Sequence, residues 1–386
     1  MFAASLVLSL ATLAQTPLQA PRDLEGIVFV DRNANGVRET GEIGLEGATV
    51  SDQHQVVRTG ADGGFRIARS TGPGTVFVTV PDGYRIVGSF WRPVDGGPLV
   101  FAVAPAATAA EFHFVHASDT HISEATRSRT QLLKAAVDSI KPAFVIITGD
   151  LIRDALRVPE GEASGYYQLF QEETAKFSAP VYTAPGNHEI FGIERHRSLV
   201  SPAHPLYARG MYRKYRGPDY YSFNFGGIHF VALNTADIDD LWYYGHVDSA
   251  QVAWLKRDLE TVPLTTPVIT FNHIPFFTSV ETVNGYMDGP PAPTAITVRG
   301  KTSFRHSVSN ATEILALLAG RPYPLALGGH MHVRESLFFA GLSTRFHQSA
   351  AVVGPSESGG LELPSGVTVY RVKAGRIDDG TFVRLP

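Results

Sequence analysis

Cysteine is absent from this 386-residue chain. That excludes disulfide staples, thiolate metal sites, a catalytic cysteine and a lipidated N-terminal cysteine. It leaves the redox compartment open. A dominant charge is missing too, since 33 Lys and Arg face 37 Asp and Glu for a formal charge of −4. Basic residues are scattered, and no Lys/Arg stripe with interleaved aromatics exists. Such a chain has no general attraction for nucleic acid or anionic membrane, so no nucleic-acid partner is expected. No apolar run reaches the about 20 residues that cross a bilayer core, so no transmembrane anchor is expected. A P-loop, a Gly-x-Ser-x-Gly elbow and a dinucleotide fingerprint are all lacking.

What is present reads as globular: 44% apolar and 18% charged residues. The 37 Gly and 25 Pro make up about 16% of the chain, above the usual ~12%, and predict many turns. At ~150 residues per domain the length predicts two or three domains. Oligomeric state is not legible.

The N-terminal stretch Phe2–Ala14 is nearly all apolar, interrupted by Ser5, Ser9 and Thr12, and the first charged side chain is Arg22. It is too short to span a membrane and fits a signal-peptide apolar region, with the small residues of Thr12-Leu13-Ala14 as a cleavage site. Only the amino terminus supplies positive charge before it. A short buried segment or a misassigned start is the alternative. The expectation is a leader over 1–20 and an exported protein, periplasmic or secreted.

Residues 21–105 read as strands and turns. Gly26–Asp31, Ala48–Ser51, Val56–Thr59, Phe65–Ala68 and Thr75–Val80 are short β-branched or aromatic runs. Turns such as Ala61-Asp62-Gly63-Gly64 separate them, which predicts a small β-sandwich. Ala104–Ala110, rich in Ala, Pro and Thr, reads as a linker. From 106 to 386 strands alternate with helices, an α/β (α+β) pattern. Strands are expected at Phe112–Ala117, Phe144–Thr148, Pro180–Ala184, Tyr221–Phe225, Ile228–Leu233, Val268–Phe271 and Leu325–Leu327. Helices are expected around Leu132–Ile140 and at Tyr166–Phe177, Ala250–Thr261 and Ala311–Leu318. The last opens with a capping-box-like Asn310-Ala-Thr-Glu313.

The chemistry lies where the strands end. One strand runs into Asp119-Thr-His121, the next into Gly149-Asp150, the next into Gly186-Asn187-His188-Glu189. Later ones run into Asn272-His273 and Gly329-His330-Met-His332. Ligand sites of open α/β sheets lie beyond the carboxyl ends of strands. Carboxylate and imidazole without thiolate suit Mn, Fe or Zn, and a pair of such ions can clamp the oxygens of a phosphoryl displacement. Each piece alone has a bland reading: Gly-Asp and Pro-Gly-Asn are turn chemistry. Their joint occurrence is specific.

Together these motifs resemble the full set of the calcineurin-like metallophosphoesterases, over roughly residues 110–355. The resemblance implies a four-layer α/β–β/α sandwich and two divalent transition-metal ions (Mn, Fe or Zn). It implies that Asp119, His121, Asp150 and His332 bind the first ion. Asp150, Asn187, His273 and His330 bind the second, with Asp150 bridging. His188 stands beside the metals as the catalytic residue. The implied reaction is hydrolysis of a small phosphomonoester or phosphodiester by hydroxide held between the ions. Purple acid phosphatases share the pattern but carry Tyr three residues after the bridging Asp. Arg153 stands there, so the class III cyclic-nucleotide phosphodiesterase branch looks closer. Asp154 is either a support for the site or an exposed loop residue. Rival functions are a nuclease of the same fold and a catalytically silent surface-binding protein.

Other residues invite plainer readings. His113, His116 and His229 read as core or sheet-face residues, whereas His196, His204, His246 and His347 sit in or near loops within reach of the cleft. Tyr220-Tyr221, Tyr243-Tyr244 and Phe276-Phe277 read as loop anchors, with stacking on a leaving group as the alternative. The rim is expected from Phe191–Pro218 and Thr278–Ser307. At the N-terminal side, Asp31, Asn33, Asn35, Gly36 and Glu42 match calcium-loop spacing without flanking helices. The segment resembles transthyretin-like modules of exported bacterial proteins, some of which bind calcium through such loops. A structural calcium ion and an Asx-rich turn that needs none are both open.

Overall fold

The computed structural model describes residues 23–386, apart from 69–71, 96, 108–110, 282–292 and 359–360. The proposed leader and part of the Thr278–Ser307 rim lie outside the described residues.

The N-terminal strands form two four-stranded sheets. One runs in the order Gly64–Ile67, Leu24–Val30, Leu99–Pro105, Tyr84–Val87. The other runs Val56–Arg58, Thr49–Ser51, Thr75–Thr79, Trp91–Pro93. Val28, Val50, Ile67, Val76 and Phe101 are buried in one cluster of these strands. Three of these strands were missing from the sequence reading, because Gly and Pro around Tyr84–Val87, Trp91–Pro93 and Leu99–Pro105 mask their alternation. The linker is correspondingly shorter than expected, since Ala104 and Pro105 still pair with Arg85 and Tyr84.

The following region has two six-stranded sheets face to face. In the first, Val181–Ala184, Phe144–Thr148, Glu111–Ala117 and Gly366–Lys373 lie side by side. Arg376–Ile377 and Thr381–Arg384 extend it. The second runs Tyr221–Phe225, Ile228–Ala232, Val268–Phe271, Leu325–Gly328, Arg345–Gln348, Glu335–Phe338. Aromatic rings fill the space between: Phe114 stacks on Phe144 at 5.4 Å and meets Phe230 edge-on at 5.8 Å. Helices Arg127–Ile140 and Glu160–Thr174 cover the first sheet with Leu133, Val137, Tyr167 and Phe170. Helices Ser249–Glu260 and Ala311–Leu318 serve the second through Trp254, Leu255, Ile314 and Leu318. The architecture is thus the α/β (α+β), four-layer sandwich with an N-terminal β region.

Two local expectations are corrected. The second helix begins at Glu160, not Tyr166, with acidic residues in its first turn; these favour the positive end of the helix dipole. Asn310 is the N-cap residue, but its side chain caps no helix N–H. Its amide exchanges hydrogen bonds with the Val247 backbone in both directions, pinning the preceding loop instead.

The N-terminal sheets dock on the edge strand Tyr221–Phe225. Asn224 N donates to Val80 O. Gln53 donates to Asp219 and Tyr220, and Trp254 Nε1 donates to Ser51 Oγ at 3.1 Å. An exposed sheet edge is thereby covered.

Candidate metal centre

Strands Glu111–Ala117, Phe144–Thr148 and Val181–Ala184 are parallel, as are Ile228–Ala232, Val268–Phe271, Leu325–Gly328 and Arg345–Gln348. Their carboxyl ends share one rim, and the loops leaving it fold back sharply. Asp119, His121, Asp150, His330 and His332 all have positive φ, between 39° and 77°. Non-glycine residues rarely adopt that region, so strain is concentrated on these side chains. Glycines allow the loops to close. A Cβ at Gly186 would lie 2.2 Å from Asp150 Oδ1, and one at Gly149 (φ +83°) 2.7 Å from the His273 ring.

All eight residues named from the sequence meet here. His332 Nε2 stands 3.3 Å from Asp119 Oδ1 and 3.2 Å from His121 Nε2. His121 Nε2 is 3.6 Å from Asp150 Oδ2. At the same oxygen, His273 Nε2 lies 3.1 Å from Asp150 Oδ2, and it is 3.2 Å from Asn187 Oδ1. His330 Nδ1 is 3.2 Å from His273 Nε2. Three ligand-competent groups result: Asp119, His121 and His332; His121, Asp150 and His188; Asp150, His273 and His330.

The donor set fits divalent ions. Ligand atoms each about 2.1 Å from one ion stand roughly 3 Å apart, as these do. Asp119 Oδ1 is buried and accepts no hydrogen bond, an orphan lone pair that a cation would satisfy. Outer contacts also aim the ligands. His273 Nδ1 lies 2.7 Å from the Thr148 carbonyl, which can only accept, so Nε2 presents its lone pair inward.

The electrostatics match. Burial opposes the Asp150 charge, but His273 and His188 outweigh it and hold the carboxyl well below its usual range. Burial likewise opposes Asp119, which His332 holds low. Burial presses His121 down to about 4, keeping it a neutral donor. His273 is opposed by burial yet raised to about 9 by Asp150; a cation would replace that proton.

His188 is oriented separately. Its Nδ1 donates to the Arg153 carbonyl at 2.6 Å, and its Nε2 faces Asp150 Oδ2 at 3.9 Å. Asp154 does not enter the cluster: its carboxylate accepts from Leu156 N and Arg157.

Three contributors escaped the sequence reading. Glu189, fully buried, accepts from Leu151 N, Ile152 N and Gly186 N at 2.8, 3.2 and 2.6 Å. It therefore ties the Asp150 loop to the Asn187 loop. Burial and the Asp150 charge push its carboxyl up to about 8. Glu189 stood in the quoted Gly-Asn-His-Glu motif, and that position was its signal. His306 Nδ1 lies 2.7 Å from His330 Nε2. Arg305 lies over the Tyr243 ring, 4.3 Å from its centre, and that ring is 6.0 Å from His330. No local pattern marks these two.

The remaining sequence candidates stay outside. His116 and His229 are buried and His113 is exposed. His204 pairs with Glu160, His246 with Asp237, and His347 with Tyr370. His196 is in none of the ligand groups. Tyr220 and Tyr221 are core residues that donate to Gln53 O and Thr183 O, and Tyr244 donates to Asp237. Phe276 and Phe277 pack on Phe346. In the 31–42 loop, Asp31 accepts from Asn35 N and Gly36 N, and Glu42 accepts from Arg32 N and Glu39 N. Asn33 Oδ1 and Asn35 Oδ1 accept from Asn35 N and Val37 N two residues on, as in Asx-turns, and the loop's carboxylates form none of the ligand-competent groups found among the described residues.

The chain is 23% identical over 253 residues to the 3',5'-cyclic adenosine monophosphate phosphodiesterase CpdA of Escherichia coli (strain K12), covering 61% of this chain and 75% of that protein. Among solved structures, a dimetal phosphatase from Danio rerio aligns with a TM-score of 0.45 and 13% identity, over 71% of this chain and 99% of that one. The purple acid phosphatase PPD1 of yellow lupin (Lupinus luteus) aligns at 0.44 and 15%, over 94% and 68%. No described helix is long and apolar enough to cross a membrane. The calcineurin-like phosphoesterase profile matches residues 112–334, more than half of the sequence, and the chain belongs to that family of hydrolases.

Proposed function

We propose that this protein is an exported, dinuclear-metal-dependent hydrolase of phosphomonoesters or phosphodiesters. One observation carries the reading: Asp150 Oδ2 lies 3.6 Å from His121 Nε2 and 3.1 Å from His273 Nε2, so a single carboxylate joins two ligand groups. Asp119, His121, Asp150 and His332 would hold one ion, and Asp150, Asn187, His273 and His330 the other. Bound there, two ions of Mn, Fe or Zn would supply Lewis-acid charge for phosphoryl oxygens and lower the pKa of water toward ~7.

The chain's own residues do the rest. Asn187 offers a neutral oxygen, so only Asp119 and Asp150 offset the charge of the ions and an anionic ester stays attracted. With Nδ1–H given to Arg153, His188 holds or takes its second proton at Nε2, on the side facing the cluster. From there it protonates the leaving oxygen. Glu189 keeps the Asp150 and Asn187 loops in register. Residues 106–386 form the catalytic part. Residues 21–105 are a transthyretin-like module, and the apolar stretch within 1–20 supports an export leader.

The test is a panel of phosphomonoesters, diesters, cyclic nucleotides and nucleotide sugars on protein reconstituted separately with Mn, Fe and Zn. A cyclic nucleotide belongs in it because CpdA is a cyclic AMP phosphodiesterase. Metal-dependent hydrolysis that a chelator abolishes is expected. Full activity after exhaustive demetallation would sink the reading.

A further inference from the structure

Arg305 is 5% exposed, and no other arginine or lysine is buried among the described residues. A buried cation is costly unless an opposite charge meets it. The arginines around the site follow that rule. Arg157 is neutralised by Asp154 and Glu194, and Arg209 by Asp237 and Asp248. Arg305 forms no ion pair with any described carboxylate. Its Nε makes one long bond, 3.4 Å, to the Tyr243 carbonyl, and its Nη1 is buried with no hydrogen-bond partner.

Its position is fixed from two sides. The guanidinium carbon lies 4.3 Å from the centre of the Tyr243 ring and 5.1 Å from that of Trp242. The backbone is held by Arg305 N donating to Thr294 O at 3.0 Å. Tyr243 itself belongs to a buried apolar cluster with Leu156, Ile190 and Ile274. These belong to the loops that carry Asp150, His188 and His273. The next residue, His306, touches His330. An uncompensated guanidinium is therefore mounted on a rigid aromatic base at the edge of the cluster where an anionic ester would arrive.

We propose that Arg305 is an anion-binding residue of this site and donates Nη1–H to a phosphate-type oxygen of the substrate. The inference rests on the phosphoesterase reading and extends it to a specificity contact outside the metal ligands. The oxygen belongs either to the reacting phosphoryl group or to a second anionic group on the same molecule. Trp242, over whose ring the guanidinium also lies, is 37% exposed, so the outer edge of this aromatic base is open to solvent.

The test compares wild type with Arg305→Met, which keeps the stem against the rings and removes the charge. Binding of inorganic phosphate and inorganic pyrophosphate is measured by calorimetry on metal-loaded protein, with metal content determined on each sample. A charge-assisted hydrogen bond predicts affinity weaker by on the order of 10- to 100-fold in the variant, with metal content unchanged. Loss for both anions assigns the reacting group, and loss for pyrophosphate alone assigns a second anionic group. Equal affinities for both anions overturn the proposal while leaving the phosphoesterase reading intact. A wild type that binds neither anion overturns both. If the variant does not fold, a wild-type crystal structure with phosphate decides. Nη1 within hydrogen-bond reach of the anion is expected, and a guanidinium out of reach overturns it.

Discussion

Replacing Glu189 is the most informative single change outside the proposed ligands. Its carboxylate is the sole side-chain partner recorded for three buried backbone N–H groups, on Leu151, Ile152 and Gly186. Glu189→Ala strands all three. At roughly 1–3 kcal/mol for each unsatisfied buried donor the full cost is about 3–9 kcal/mol, and water entering the vacated space brings it toward ~3–5 kcal/mol. Glu189→Gln keeps one acceptor oxygen but turns an amide NH₂ toward a donor, so an intermediate loss is expected. Both loops carry proposed ligands, so metal affinity should fall by about 10- to 100-fold, as for outer-sphere supports elsewhere. Thermal melting and metal content after dialysis read the two effects. The pH dependence has a fixed sign. The folded pKa of Glu189 is raised from 4.5 to about 8, so its share of stability is full below about 4.5 and is lost as pH rises through about 8. In metal-free protein Glu189→Gln should flatten that decline. A Glu189→Ala protein with wild-type melting temperature and wild-type metal content would refute the clamp.

Further outcomes follow from the same geometry. His188→Asn should retain both metals and lower kcat by roughly 10²–10⁴-fold on an alkyl ester. The loss should shrink on a nitrophenyl ester, whose leaving oxygen needs no proton; an unchanged kcat on the alkyl ester would remove His188 from the mechanism. A fragment covering 106–386 should keep activity but melt lower than the whole chain, because it uncovers Trp254 and the edge strand Tyr221–Phe225; loss of all activity in a folded fragment would place part of the site in the N-terminal module. Millimolar calcium should leave the melting temperature unchanged if the 31–42 loop is a hydrogen-bonded turn in which Asp31 and Glu42 only accept from loop N–H groups. A calcium-dependent rise that Asp31→Ala abolishes would mark a calcium loop instead.

The cluster of Asp, Asn and His side chains was legible because it is written at strand ends. A buried strand reads as an unbroken apolar run, and the residue after it has one place to go, the carboxyl-end rim. Asp119, Asp150, Asn187, His273 and His330 all obey that rule. Glycines at 149 and 186 signalled a turn, but only the structure shows that they also make room for His273 and Asp150. Arg305 and His306 were not legible. They follow a hairpin, Ala295–Val298 with Lys301–Phe304, whose two four-residue strands bury only Val298 and Ser303. Nothing local predicts where such a hairpin folds. Asn310 failed for a related reason: the capping pattern is local, and the Val247 backbone, 63 residues away in sequence, competes for the same amide.

The central claim is that Asp150 bridges two ions, and metal stoichiometry in single variants tests it most directly. Wild type should hold close to two transition-metal ions per chain by elemental analysis. Asp150→Ala should deplete both sites, whereas His121→Ala and Asn187→Ala should each bias the loss toward one, because Asp150 Oδ2 stands beside both His121 and His273 while His121 and Asn187 are each assigned to one ion. Equal, small losses in all three variants, or a wild type holding a single ion, would contradict the account.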